Sequence, residues 1–169
     1  MAALEILHYP HPALKSVAEP IAEVTEEIRV LAENMAETMY LAAGVGLAAN
    51  QVGILKRIFV IDCADEDAPS ELRVFINPEI TEMDGEQMFN EGCLSFPGAN
   101  EDVKRAETVR VKALDAQGEE FSLDADGLLA VAIQHELDHL NGVTMIDKVG
   151  KMKKRKISRQ VQQAVAELR

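Results

Sequence analysis

The segment Asp126–Gly142, DGLLAVAIQHELDHLNG, decides how the chain is read. Leu128, Leu129, Ala130, Val131, Ala132 and Ile133 leave no polar face, so a helix here has to be covered on most sides instead of lying on a surface. It is predicted to start at Asp126 and to stop at Asn141-Gly142, where glycine suits the left-handed position that ends helices. Its last turns hold His135, Glu136, Asp138 and His139. Polar groups taken inside need partners, and that requirement frames the rest of the reading.

Upstream lie short runs rich in β-branched and aromatic residues: RIFVIDC (57–63), LRVFIN (72–77), EITEM (79–83) and TVRVKALD (108–115), the last turned by DAQG into EEFSL. Asn77-Pro78 is expected to break the second run. No helical segment separates these pieces, which predicts antiparallel pairing and an α+β fold, with strands packed around the central buried helix. Prolines 10, 12 and 20 give a looping start. Thr25 then caps an N-terminal helix with Glu26 and Glu27 in its first turn and an apolar stripe of Ile28, Leu31, Met35 and Met39, ending near Gly44. Ile157, Val161, Ala164 and Leu168 carry helical spacing at the other end. With 169 residues and 47% hydrophobic content, the expectation is one domain, 1–169, with 148–169 a basic C-terminal helical tail.

The net charge of −12 argues against nucleic-acid binding by the whole domain. It is unevenly spread. Residues 148–169 hold eight basic residues and one acid, so the tail carries +7 and the remainder −19. Such a tail either folds back on its acidic body or addresses a polyanion. No run approaches the roughly 18–20 apolar residues of a membrane span, and the start lacks a signal pattern, so a soluble cytoplasmic protein without a membrane partner is expected. Two cysteines, Cys63 and Cys93, are too few for a disulfide framework and need separate explanations.

His135 and His139 stand four positions apart, roughly 40° around a helix and about 6 Å along it, so both rings can meet one metal ion. Glu136 is rotated by about 100°, too far to ligate comfortably but long enough to act as base toward a water on that ion. The alternative is a pair of surface or satisfied core histidines. A catalytic ion needs a third protein ligand. Asp138 is badly placed for that and reads better as an outer acceptor or a capping charge. Cys93, in the bent segment NEGCLSFPG, offers a thiolate, though a buried free cysteine is the plainer reading of that residue alone. Cys63 closes a strand and is read as structural. In GVGLAANQ (44–51), Gly44 and Gly46 permit close backbone approach and the Gln51 amide can donate to a developing oxyanion; read alone, the stretch is a helix-ending turn.

In order along the chain, GVGLAANQ (44–51), EGCLS (91–95) and QHELDH (134–139) resemble the three diagnostic motifs of the peptide deformylases. The likeness extends to HYPHPALKSVAEPI (8–21) and the HLNGV exit, so it spans nearly the whole chain. The resemblance implies metal ligation by Cys93, His135 and His139, proton transfer by Glu136, and Gln51 and the N–H of Leu94 as donors to a formyl oxygen. It implies that Gly46 contacts the substrate backbone, that Val45, Leu128, Val131 and Ala132 line a methionine pocket, and that Glu91 and Arg105 form a supporting ion pair. The family's ion is ferrous iron, replaceable by zinc, nickel or cobalt. The implied activity is removal of the N-formyl group from formyl-methionine on nascent chains, and a monomer is expected. The basic tail by itself reads either as a solvated helix packed by Ile157, Val161 and Leu168 or as a dock for ribosomal RNA near the exit of the nascent chain. Asn100, His11 and Phe96 depart from the family pattern. Two rivals remain at this level: a thermolysin-like peptidase, for which only Glu167 follows Asp147 as an acidic ligand, and a binding module with a structural, four-ligand metal.

Overall fold

The computed structural model describes residues 3–65 and 67–168. Ten regular elements follow one another: α1 (Glu26–Leu41), β1 (Gly46–Ala48), β2 (Ile58–Ile61), β3 (Arg73–Asp84), β4 (Gln87–Gly92), β5 (Asn100–Arg105), β6 (Thr108–Leu114), β7 (Glu120–Ala125), α2 (Gly127–Leu140) and α3 (Lys151–Glu167). The fold is α+β with antiparallel sheets and three α-helices. One sheet has five strands in the order β1-β2-β3-β6-β7; β4 and β5 form a separate two-stranded sheet.

β2 explains why its sequence, IFVI, shows no polar alternation. Phe59 and Ile61 point into one core cluster with Ala130, Ile133 and Leu140 of α2, while Ile58 and Val60 point into another with Ile28, Ala32, Met35 and Met39 of α1. The large sheet therefore lies between the two helices, and its middle strands are apolar on both faces. α2 is buried from Ala130 through Glu136 and again at His139 and Leu140, as its apolar sequence requires. Its end is fixed by Gly142 at φ 74°, whose N–H donates to the His139 carbonyl at 3.0 Å.

Three local readings need correction. Asn77-Pro78 does not end a strand: β3 runs through it, joining LRVFIN to EITEM, and the disruption appears instead as register shifts against β6 between Ile76 and Glu79 and between Ile80 and Glu82. Asn77 takes φ 51°, which asparagine tolerates, and its amide exchanges two 2.8 Å hydrogen bonds with the backbone of Ile21. Thr25 does precede α1, but its side chain makes no cap bond, and α1 ends at Leu41, short of Gly44. The β4–β5 hairpin and the three-residue β1 were not anticipated. Among the described residues, no helix is long and apolar enough to cross a membrane.

Asn77→Ala removes both bonds to Ile21 and the tolerance of the left-handed backbone. The expected cost is about 1–3 kcal/mol, read as a lower urea midpoint with an unchanged slope. An unaltered midpoint would mean that Asn77 is not what holds the chain start to β3.

Candidate active site

The site is assembled where the hairpin meets α2. β4 ends at Gly92 and delivers Cys93; α2 delivers His135 and His139 from successive turns. Cys93 Sγ lies 3.3 Å from His139 Nε2, which lies 3.1 Å from His135 Nε2, and all three atoms are within 4.8 Å of one another. Ligand atoms around a tetrahedral ion at about 2.05–2.3 Å stand about 3.3–3.6 Å apart, which the two separations made by His139 Nε2 approach. The donor types agree, a thiol and two imidazoles around one point. Burial and the nearby His135 and Arg105 charges lower the pKa of His139, favouring the neutral form that binds metals, whereas at His135 the neighbouring Glu136, Cys93 and Glu91 outweigh burial and raise the pKa, so an ion bound there would displace its proton. Among the described residues these three form the one cluster of this kind. Neither His8 nor His11, the spare histidines of the four-ligand reading, nor Glu167, the ligand a thermolysin-like site would need, belongs to this cluster; His11 is exposed, its Nδ1 accepting from the Ala13 N–H, and Glu167 is exposed at the end of α3.

Behind the ligands runs a buried ionic chain. His135 Nδ1 is 2.8 Å from Glu91 Oε1, which fixes the ring so that Nε2 faces the site. Arg105 donates to Glu91 through Nε at 2.7 Å and Nη2 at 2.9 Å, and through Nη1 to Asp138 at 2.6 Å. Lys148 reaches the same Asp138 oxygen at 3.5 Å. Burial pushes the Glu91 carboxyl up, but hydrogen bonds from Arg105 and His135 outweigh it and hold the pKa at about 2. Asp138 is thus an outer acceptor, acting on Arg105, and not a helix cap.

Glu136 is 4% exposed, and burial pushes its pKa up to about 7. Its Oε1 has no hydrogen-bond partner among the described residues. Its other oxygen sits over Gly46, where an added Cβ would meet Oε2 at 2.6 Å, so β1 has to present bare backbone here. Gln51 is also buried. The Ala48 N–H donates to its Oε1 at 2.9 Å, which orients the amide so that Nε2 lies 3.1 Å from Ser95 Oγ and 3.6 Å from Cys93 Sγ.

These groups open on a cavity of about 400 Å³. Val45, Gly46, Gln51, Glu91, Cys93, Leu94, Leu128, Val131, Ala132, His135 and Glu136 all line it; His139, Arg105 and Asp138, also named from sequence, are not part of its lining. Phe89, Asn90 and Pro97 also line it and were missed. Phe89 was within reach of sequence reasoning, because it stands two positions from Glu91 and shares its face of β4. Cys63 is half-buried away from the ligands, its thiol pushed up to about 11 chiefly by burial, in keeping with a structural residue. Phe96, a departure from the family pattern, is buried and stacks on Tyr9 with ring centroids 5.0 Å apart. Asn100 opens β5 opposite Gly92.

Residues 3–155 match the polypeptide deformylase family. A peptide deformylase of Alkalilimnicola ehrlichii is 49% identical over 165 residues, covering 98% of this chain and 92% of the relative. One from Chromobacterium violaceum is 52% identical over 157 residues, covering 93% of each. Among solved structures, a peptide deformylase from Legionella pneumophila superposes with a TM-score of 0.92 at 42% identity, over 96% of this chain and 95% of that one. The peptide deformylase from Ehrlichia chaffeensis in complex with actinonin gives 0.92 at 35% identity, over 96% and 98%.

Arg105→Leu leaves the Glu91 and Asp138 carboxylates without their shared cation, at an expected cost of about 3–5 kcal/mol. By freeing Glu91 it should also weaken metal binding about 10–100-fold in chelator competition. A variant with unaltered urea midpoint and metal affinity would show that the ionic chain does not support the ligands.

Proposed function

This chain belongs to the peptide deformylase family and removes the N-formyl group from N-formylmethionyl peptides, and we propose that it does so with one divalent ion held by Cys93, His135 and His139 and with Glu136, Gln51 and Leu94 as its reacting groups. The observation that carries this assignment is the convergence of the Cys93, His135 and His139 donor atoms within 4.8 Å, beside a buried carboxylate on the wall of a cavity. The ion, when bound, supplies Lewis acidity and brings a water it holds toward ionisation near neutral pH. Ferrous iron is the assignment for the cell, with zinc, nickel or cobalt able to replace it at a thiolate and two imidazoles.

Glu136 takes the proton of the attacking water, its raised pKa matching that task, and returns it to the amine nitrogen as the carbon–nitrogen bond breaks. Water oxygen thereby ends on the formyl carbon, giving formate and a free amino terminus. Gln51 Nε2 and the N–H of Leu94 donate to the formyl oxygen as it gains charge, and the bond from Ala48 to Gln51 means that little reorganisation is needed. Val45, Leu128, Val131 and Ala132 receive the methionine side chain, Gly46 meets the peptide backbone, and Glu91 keeps His135 in its ligating orientation. A formyl carbon bears only hydrogen on its outer side, so a narrow site selects it over acetyl or internal amides by size.

In this reading α2 is the central helix that carries the His-Glu-x-x-His pattern, and residues 1–169 work as one catalytic domain, monomeric and cytoplasmic. The tail has a second task. Lys151, Lys154, Arg155 and Lys156 are exposed on α3, while Ile157 and Val161 are buried, so the helix can pack and still offer charge to ribosomal RNA where formylated chains emerge.

Protein purified without oxygen should carry a metal and release formate from a formyl-Met peptide. Glu136→Gln should keep the metal while turnover falls by about 10²–10⁴; near-normal turnover would remove Glu136 from the reaction. Reversing Lys151, Lys154 and Arg155 to Glu should lower co-sedimentation with ribosomes at low salt and leave short-peptide activity intact. Undiminished co-sedimentation would return the tail to a purely packing role.

A further inference from the structure

Residues 93–99, between β4 and β5, form a single layer of chain that separates the substrate cavity from α3. Phe96, Pro97, Gly98 and Ala99 line the cavity on one side. On the other, Phe96 and Ala99 share a core cluster with Ile157 and Val161 of α3 and with Met145 and Ile146. The start of the loop is anchored by the Tyr9 N–H donating to the Ser95 carbonyl at 2.8 Å and by Gln51 on Ser95 Oγ. Within the loop, Phe96 N–H bonds the Cys93 carbonyl at 2.9 Å and Ala99 N–H the Phe96 carbonyl at 3.2 Å. Its far half leans on the helix.

The closest approach is at Gly98. It takes φ 79°, and an added Cβ would lie 2.8 Å from Ala164 Cβ and 3.2 Å from the Gln160 carbonyl oxygen. Neither neighbour is the free end of a flexible side chain, so nothing here can swing aside. A close-packed contact of this kind transmits displacement instead of absorbing it. α3 also reaches β5 through Lys153 and Glu101 at 2.9 Å, a half-exposed pair that adds little beside the apolar contacts.

We propose that α3 is the outer wall of the substrate cavity, with Ala164 and Gly98 as paired positioning residues that set the 93–99 loop and hence the room for a bound peptide. The identity of that peptide rests on the deformylase reading; the mechanical link does not. Added bulk at position 164 drives the loop toward the cavity, and added bulk at position 98 does the same from within.

The test is Ala164→Leu beside Ala166→Leu, an exposed position on the same helix. Ala164→Leu should raise KM for a short formyl-Met peptide at least about fivefold with kcat within about twofold, because a loop shift alters the fit of substrate more than the reacting groups. Amide exchange at residues 96, 98 and 99 should quicken in the same variant. Ala166→Leu should match the unaltered protein on both measures. Gly98→Ala should reproduce the KM rise, and adding Ala164→Gly should recover part of it, since the nearest clash is relieved while the φ strain stays. A folded Ala164→Leu protein with the KM and exchange of Ala166→Leu, or a double variant with no recovery, would overturn the proposal. If the unaltered protein releases no formate, the deformylase reading fails, and exchange at 96, 98 and 99 alone decides whether α3 positions the loop.

Discussion

Arg105 is the charge around which the two halves of the site are joined. The residue is 5% exposed, and a cation that deep is tolerable only with carboxylates at hydrogen-bond distance. Glu91 comes from its own hairpin and Asp138 from α2, and the planar fork of five N–H groups serves both at 2.6–2.9 Å. The hairpin is thereby held against the helix. A two-stranded sheet is marginal by itself, yet this one has to deliver Cys93 to within 3.3 Å of His139. The clamp solves that problem one residue pair away, since Glu91 stands two positions before Cys93 and Asp138 one before His139.

The same economy governs α2. Burying this helix completes the core against the large sheet, and it also takes His135, Glu136 and His139 out of water. A carboxylate so buried resists ionisation, which is the property a proton carrier near neutral pH needs. The arrangement requires β1 to yield at Gly46, directly under the Glu136 carboxylate. Core packing and site chemistry are therefore one constraint on the sequence of α2 and β1.

That constraint explains what could be read in advance. α2 was legible because an apolar run with a glycine stop has few other uses, and the antiparallel strands because β-branched runs stood without helices between them. The hairpin was not. QMFNEG and NEDVKR leave one face to solvent and bury little besides Phe89, Glu91, Val103 and Arg105, a pattern too polar to announce strands. Asn77-Pro78 misled because the pair disfavours regular backbone, while the amide of Asn77 repays the bend through Ile21. At the site, local sequence already set Cys93, on a bent segment, apart from Cys63, which closes a strand. What it could not supply is the hairpin that brings the Cys93 thiol to the histidines, for which the three motifs in order were the sequence sign.

The basic tail poses the remaining question of balance, since +7 in residues 148–169 faces −19 elsewhere. Two contacts close part of this within the molecule, Lys153 with Glu101 and Lys148 with Asp138. Lys153 is more than half exposed, and pairs of that kind contribute little to stability. The burial of Ile157 and Val161 is the stronger hold on α3. Apolar residues seat the helix, and Lys151, Lys154, Arg155 and Lys156 remain exposed on its outer side. Because the seated face bears on Gly98, any surface that shifted α3 would act on the wall of the substrate cavity.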